Sequence, residues 1–461
     1  MTRCFRGLVM AAAFAAGGLW AAEPAAAQEA LHDSHFHYLN YNQDLGMPIA
    51  TVRGVMTHGV QGDSRTDYSV TRSTLFGIPL QQRWDPSALL ARDAGHGDGS
   101  FTWGAPSIPD DEPVYYLPTH SELYYYSGVD PLIAEAYCDD VEGLTARDGA
   151  PFWDPSITGF NPADVHGADH IVRMMTVYPG IFRAIGEFTI HKEAVATKIA
   201  GATPSFDNEA LHEIIHVASR LGLVVILHSD MYSLLDEGPE DAAYYDETKL
   251  LLKDVGHYFK NYKTPGLLWA HTGIGRFAPK DRTIQLAHFD RLQRILDDPL
   301  YNHVGFDIAW DFVARFIRGN PAGWANLYDN ANRGKRFVWG SDSLSPTNQQ
   351  KYTDVIKDYD AIFRVPYTQA PARLMQRDNY AMIFDDPLRR YARGYFAHRT
   401  GATKWNCKRD TVVPPPSDDW FKGYDDLYPK EERQELLKAI EKDVDEVIGL
   451  YPRAVRAVQV K

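Results

Sequence analysis

Leu31-His32-Asp33-Ser34-His35-Phe36-His37 is the stretch of this 461-residue chain from which the fold can be read. Residues two apart on an extended strand project to the same side, so His35 and His37 are thrown out together where an apolar run ends. Seven more short runs rich in Val, Ile, Leu or Phe follow, over 73–80, 156–160, 182–188, 223–228, 267–271, 304–308 and 337–341. Amphipathic stretches with helical spacing lie between most of them, near 129–147, 162–178, 206–221, 246–260, 281–298 and 311–330. Strands alternating with helices predict a parallel sheet buried on both faces, and eight such units predict a closed (β/α)8 barrel of the TIM type.

The spacing assigns residues 28–400 to the barrel. An aromatic-rich insertion over 83–128 follows the second strand, with Trp84, Trp103, Tyr115, Tyr116 and Tyr124 to Tyr126. It suits either a wall over the strand ends or a loop that buries its own rings. Residues 401–461 read as a tail packed on the barrel, with a corner at Pro414-Pro415-Pro416 and a charged helix over 430–450.

Residues 1–27 carry Arg3 and Arg6, an apolar run over 7–22, then Ala25-Ala26-Ala27, the order of a secretory signal peptide. The run is too short to make a good membrane span. Export to the periplasm or the medium is the expectation. Loss of Arg3, Arg6 and Glu23 takes the formal charge from −14 to −15. That charge, with no dense Lys/Arg cluster, excludes nucleic acid as a partner and leaves a small molecule. Cys138 and Cys407 are the two thiols that outlast removal of Cys4, too few for a disulfide scaffold; in an oxidising compartment they either pair with each other or stay free.

The chemistry is written at the strand ends. His35 and His37 close the first run, His228 the fifth and His271 the sixth, while the eighth runs Val338-Trp339-Gly340-Ser341-Asp342. Imidazoles and a carboxylate converging at one end of a barrel are a ligand set for a divalent ion. Glu187, in Ile185-Gly186-Glu187-Phe188, is either a ligand or a carboxylate that orients a ligand histidine or pairs with Arg183.

These residues resemble the amidohydrolase superfamily of metal-dependent hydrolases, and the Glu187 strand is similar to that of its TatD-like branches. The resemblance covers about 31–345. It implies metal ligands at His35, His37, Glu187, His228, His271 and Asp342, and one or two divalent ions, zinc foremost. It further implies that Asp342 takes and returns a proton and that His271 shifts between ligand and oxyanion donor. A divalent ion lowers the pKa of bound water from 15.7 to about 7, which agrees with that assignment. The expected reaction is hydrolysis of an amide, ester, lactone or phosphoester bond. Decarboxylation by the same ligands is the nearest alternative, and a binding protein without turnover is another.

Two further motifs compete. His212-Glu213-Ile214-Ile215-His216 is a literal H-E-x-x-H, the zinc-peptidase pattern. Leu211, Ile214, Ile215, Ala218 and Leu221 form one apolar stripe, which predicts that His212, His216, Ser219 and Arg220 meet water instead of a metal. Gly273-Ile274-Gly275-Arg276-Phe277-Ala278 mimics a dinucleotide fingerprint, but Pro279 and Lys280 interrupt the helix that should follow. Arg276 is the better candidate there for holding a substrate carboxylate.

Overall fold

All eight apolar runs become parallel strands: β1 Glu29–Asp33, β2 Asp67–Leu75, β3 Trp153–Ile157, β4 Ala184–His191, β5 Val224–Ser229, β6 Leu267–Trp269, β7 Val304–Asp307 and β8 Phe337–Val338. The computed structural model describes residues 29–38, 47–58, 60–61, 67–77, 83–84, 128–145, 150–191, 199–200, 205–232, 242–275, 282–344, 349–402, 407 and 418–456. Neighbours pair in chain order from β1 to β8, with Leu31 opposite Val70, Ile185 opposite Val225 and Leu267 opposite Val304.

The sheet closes just beyond the ends of β8 and β1. Ser34 N–H donates to the Trp339 carbonyl at 3.0 Å and Asp342 N–H to the His35 carbonyl at 2.8 Å. Two short segments, Phe36–His37 and Ser343–Leu344, pair in parallel across the seam. The fold is the expected (β/α)8 barrel of TIM type.

Helices form the outer layer: α1 Ile49–Thr57, α2 Val129–Asp139, α3 His166–Val177, α4 Glu209–Arg220, α5 Tyr245–Val255, α6 Arg282–Leu296, α7 Asp311–Gly319 and α8 Pro321–Tyr328. The stretch read as one helix over 311–330 is two. Asn320 divides it, its side chain capping α8 by accepting from the Gly323 N–H just ahead of Pro321. Beyond the barrel run α9 Gln349–Phe363, α10 Asn379–Phe384, α11 Pro387–Arg399 and α12 Lys430–Leu450. Among the described residues no helix is long and apolar enough to cross a membrane.

Two apolar clusters result. The larger lies between sheet and helices; the smaller fills the barrel with Ala184, Val224, Ile226, Leu268 and Val338, closed from below by Tyr380, Ile383 and Phe384 of α10. The same lower end holds a buried ion group. Arg72 clamps Asp154 at 2.7 and 3.1 Å, Arg183 reaches Asp154 at 2.9 Å, and the Tyr380 hydroxyl donates to Asp154 at 2.7 Å. Arg183 is thus committed far from Glu187, and the pairing considered for them does not form.

Cys138, near the end of α2, is joined to Cys407 by a disulfide with Cα atoms 5.3 Å apart. Of the insertion over 83–128, Arg83–Trp84 is described, paired antiparallel with Ile199–Ala200, together with Gly128 at its end. The rest of it, residues 1–27 and Arg276 lie outside the described residues.

Candidate metal centre

The upper end of the barrel gathers the histidines. β1 stops at Asp33, so His35 sits in a break before Phe36–His37. The alternation survives this break, since both imidazoles are buried with centroids 5.1 Å apart. Phe76 stacks edge-on against both rings from below, at 5.1 and 4.6 Å. The break is held by Asp33, whose carboxylate accepts from His35 N–H at 3.0 Å, Ser341 N–H at 2.8 Å and the Tyr352 hydroxyl at 2.7 Å. Burial pushes the Asp33 carboxyl up to about 6, and these donors restrain the rise.

Glu187 owes its place to the glycine before it. The β4–β5 register shifts between Ile185 and Phe188, and Gly186 has φ +93°. A Cβ there would lie 2.1 Å from the Ile226 carbonyl, so glycine alone fits. Gly340 is constrained in a similar way, because its Cβ would meet His35 at 2.8 Å where β8 approaches β1.

His271 was expected on its strand, yet β6 ends at Trp269. His271 and Thr272 are left-handed, φ 54° and 55°, and so is Asp342 at 49°. Such conformations cost energy for residues with a Cβ and persist where surrounding contacts enforce them.

Three rings are set identically. Nδ1–H of His35 donates to Asp307 Oδ2 at 2.7 Å, that of His37 to the Gly77 carbonyl at 3.3 Å, and that of His271 to the Ala309 carbonyl at 3.2 Å. With Nδ1 turned to these acceptors, each ring directs Nε2 inward, and the neutral form of each carries its lone pair there. His228 is the exception. Asp230 lies 2.8 Å from its Nε2, and its Nδ1 faces Glu187 Oε1 at 2.5 Å.

Donor spacing tests the fit to an ion. His35 Nε2 is buried with no hydrogen-bond partner. It lies 3.5 Å from both Glu187 Oε2 and Asp342 Oδ1, while His37 Nε2 lies 3.6 and 3.3 Å from the same two oxygens. His271 Nε2 is 3.2 Å from Glu187 Oε1. Ligands about 2.1 Å from a common ion stand roughly 3.0–3.5 Å apart at octahedral to tetrahedral angles. The residues fit a divalent ion. His35, His37 and Glu187 form one group close enough to hold it, Glu187, His228 and His271 another, and His35, His271 and Asp307 a third.

Charge follows the same arrangement. Burial favours neutral His35, but Glu187 and Asp307 outweigh it and hold the ring well above its ordinary pKa. Burial likewise favours protonated Asp342, yet His271, His37 and His35 keep it far below the usual carboxylate range. The Asp342 side chain is 14% exposed against 2% for Glu187.

Sequence reasoning did not single out Asp307, Asp230 or Trp310. Trp310 stands 5.2 Å from the His271 ring, at φ 89°, and forms part of the wall. An aspartate inside the apolar run Val304–Asp307 was the one available signal for the first of these.

The H-E-x-x-H lies elsewhere, on α4. His212 Nε2–H donates to the Phe206 carbonyl at 3.2 Å, and His216 Nδ1–H to Glu213 Oε2 at 3.1 Å while stacked on Tyr258. The apolar stripe is buried as expected, and on the opposite face His212, His216 and Arg220 are partly exposed, as expected in part. Ser219 is fully buried, and the Tyr451 hydroxyl donates to Glu213 at 2.7 Å as the tail covers this side.

Fold and site together define a (β/α)8 barrel with a histidine–carboxylate centre able to hold a metal at its C-terminal face. No protein-family model matches the sequence, and no curated protein does. Among solved structures the chain is similar to amidohydrolase-type and other TIM-barrel proteins. A Pseudomonas putida protein titled as a candidate 2-pyrone-4,6-dicarboxylic acid hydrolase is 11% identical, with TM-score 0.41, over 77% of this chain and 97% of that one. The 5-carboxyvanillate decarboxylase of Sphingomonas paucimobilis is 12% identical, with TM-score 0.33, over 77% and 98%. A TIM-barrel protein of Bordetella bronchiseptica is 14% identical, with TM-score 0.31, over 55% and 70%. Likeness this distant transfers neither substrate nor residue role.

Proposed function

We propose that this protein is an exported, metal-dependent hydrolase that uses water to cleave an amide, ester, lactone or phosphoester bond of a small molecule in the periplasm or the medium. The observation that carries the reading is the convergence of Nε2 of His35, His37 and His271 on Glu187, the first two also meeting Asp342. His35, His37, Glu187, His228, His271 and Asp342 would hold the metal, zinc by the borderline softness of imidazole and carboxylate donors. Glu187 Oε2 faces His35 and His37 while Oε1 faces His228 and His271, so Glu187 would serve with both histidine pairs in holding one or two ions. When bound, the metal supplies Lewis acidity and lowers the pKa of coordinated water.

Asp342 is the proton carrier. It is ionised, it lies within 3.5 Å of the histidine nitrogens, and it is the most exposed carboxylate of the described centre, so it can accept a proton and return it to a leaving group. Glu187, nearly enclosed, keeps its place as ligand. His271, its Nδ1 held on the Ala309 carbonyl, directs Nε2 at the centre, where it would serve as ligand or as oxyanion donor. Trp310 stands beside it as an aromatic neighbour.

The test is metal analysis of the purified full chain together with turnover of a panel of esters, lactones, amides and phosphoesters, before and after chelation. Metal-dependent products containing solvent oxygen are the expected result. Carbon dioxide release without solvent oxygen would make the centre that of a lyase, and a chain that takes up no zinc would end the proposal. N-terminal sequencing should begin near Gln28, and an intact cytoplasmic Met1 would overturn export.

A further inference from the structure

Asp307 belongs to no motif, yet its carboxylate touches the settings of two histidines that follow different strands, β1 and β6. It closes β7 and is fully buried. Oδ2 accepts Nδ1–H of His35 at 2.7 Å, and Oδ1 accepts the Ala309 backbone N–H at 2.5 Å. The Ala309 carbonyl, on the far side of the same residue, takes Nδ1–H of His271 at 3.2 Å. The turn between them is pinned from outside by the Tyr359 hydroxyl of α9, which lies against the carbonyls of Ile308 and Trp310.

We infer that Asp307 is a positioning residue of the centre, fixing the tautomer of His35 directly and the orientation of His271 through the Ala309 turn. Asp307 also lies close enough to His35 and His271 to form a third possible ligand group with them, but its bond to His35 favours the positioning role. It meets His35 at Nδ1, whereas the lone pair that faces Glu187 and Asp342 is on Nε2, across the ring. A carboxylate behind an imidazole draws the ring proton to itself, leaves the other nitrogen as the donor and makes it a better ligand. His37 provides an internal comparison, since a carbonyl at 3.3 Å holds it and Asp307 does not touch it. The zinc part of this inference rests on the function proposed above; the tautomer part does not.

The experiment compares the full mature chain with Asp307→Ala and Asp307→Asn. Ring-nitrogen NMR of 15N-histidine-labelled, metal-free protein, recorded at a pH high enough for the rings to be neutral, reads each tautomer, and competition with a chromophoric chelator reads zinc affinity. Wild type should show His35 with its proton on Nδ1. Asp307→Ala should lose that preference, leave His37 unchanged and weaken zinc roughly 10- to 100-fold. Asp307→Asn retains an oxygen acceptor, so it should keep the tautomer and lie near the lower end of that range. The thermal midpoint of metal-free Asp307→Asn checks folding, which should survive because the amide occupies the same volume. Unchanged His35 tautomer and unchanged zinc affinity in Asp307→Ala would refute the inference. So would loss of one whole ion in Asp307→Asn with the tautomer intact, because Asp307 would then be a ligand itself. If wild type takes no zinc, the proposed function fails, and the tautomer measurement still decides the role of Asp307.

Discussion

Cys407→Ser tests the relation between the tail and the barrel. The bond to Cys138 spans 269 residues and so encloses β3 to β8 within one covalent loop. Loop-closure entropy for that length amounts to about 5–6 kcal/mol at 25 °C, nearly all of it acting on the unfolded chain. The folded tail keeps its other anchors. The Tyr391 hydroxyl donates to Glu441 at 2.5 Å, Asn261 donates to Asp443 at 2.7 Å, and Arg220 pairs with Glu446 at 2.5 Å. Native structure should therefore persist while the unfolded state gains freedom. With a urea slope of about 3 kcal/mol/M or more for a chain this long, the midpoint should fall by at most about 2 M. Urea titration of oxidised wild type against Cys407→Ser, monitored by tryptophan fluorescence, measures it. A shift below about 0.3 M, with two free thiols in denatured, unreduced wild type, would refute the covalent loop and the oxidising compartment it implies.

Other perturbations isolate other links. Asp342→Asn should lower turnover roughly 10²-fold or more with folding intact, whereas His37→Ala should lose zinc first and recover partly with added ion; an Asn variant of near wild-type rate and full metal would assign the proton to another group. Replacing His212 and His216 together by Gln should leave metal content unchanged and lower stability by about 1 kcal/mol through the contacts to Glu213 and Tyr258, and loss of metal would revive the peptidase reading. Burial lowers His32 and His288 to about 3 and His303 to about 4 from 6.5, so their contribution is whole above pH 6.5 and is lost as pH falls toward 4, at most about 1.4 kcal/mol per unit each. Asp33, raised by burial to about 6, works the other way between about 4 and 6. Urea midpoints from pH 7.5 to 4.5 should show a net loss that His303→Gln makes shallower, and a flat profile would contradict the burial of these neutral rings.

Barrel strands were legible because each is a continuous apolar run, the mark of a strand covered on both faces. Helices beyond the barrel were harder to read. In α11 the buried side carries Arg389 and Arg393, which find carbonyls at Thr264, Pro265 and Gly222, so polar residues occupy the face where an apolar stripe should appear. The α9 helix does show spacing of this kind at Tyr352, Ile356, Tyr359 and Phe363, but Tyr352 serves Asp33 at the seam and Tyr359 the turn after β7. Ligand types were visible because H-x-H and an aspartate after an apolar run are rare at strand ends. Asp307 was not, since a single acid in Val304–Asp307 gains meaning from residues about 270 positions away in His35.

The centre's ligands are thus only half a property of the strands. Among the described residues, five other than glycine have positive φ, and four of these, His271, Thr272, Trp310 and Asp342, follow β6, β7 and β8 around the metal-capable pocket. Each such conformation costs on the order of 1–3 kcal/mol, so something beneath must hold it. Asp33 ties β1 to the turn before Asp342, Tyr359 ties α9 to the turn at Trp310, and Asp307 ties that turn to His35. None of these three donates a lone pair inward. A strand can bring a histidine to the rim of a barrel; here it is this lower set of buried acids and tyrosines that turns Nε2 toward the centre, and the site would be expected to fail there as readily as at a ligand.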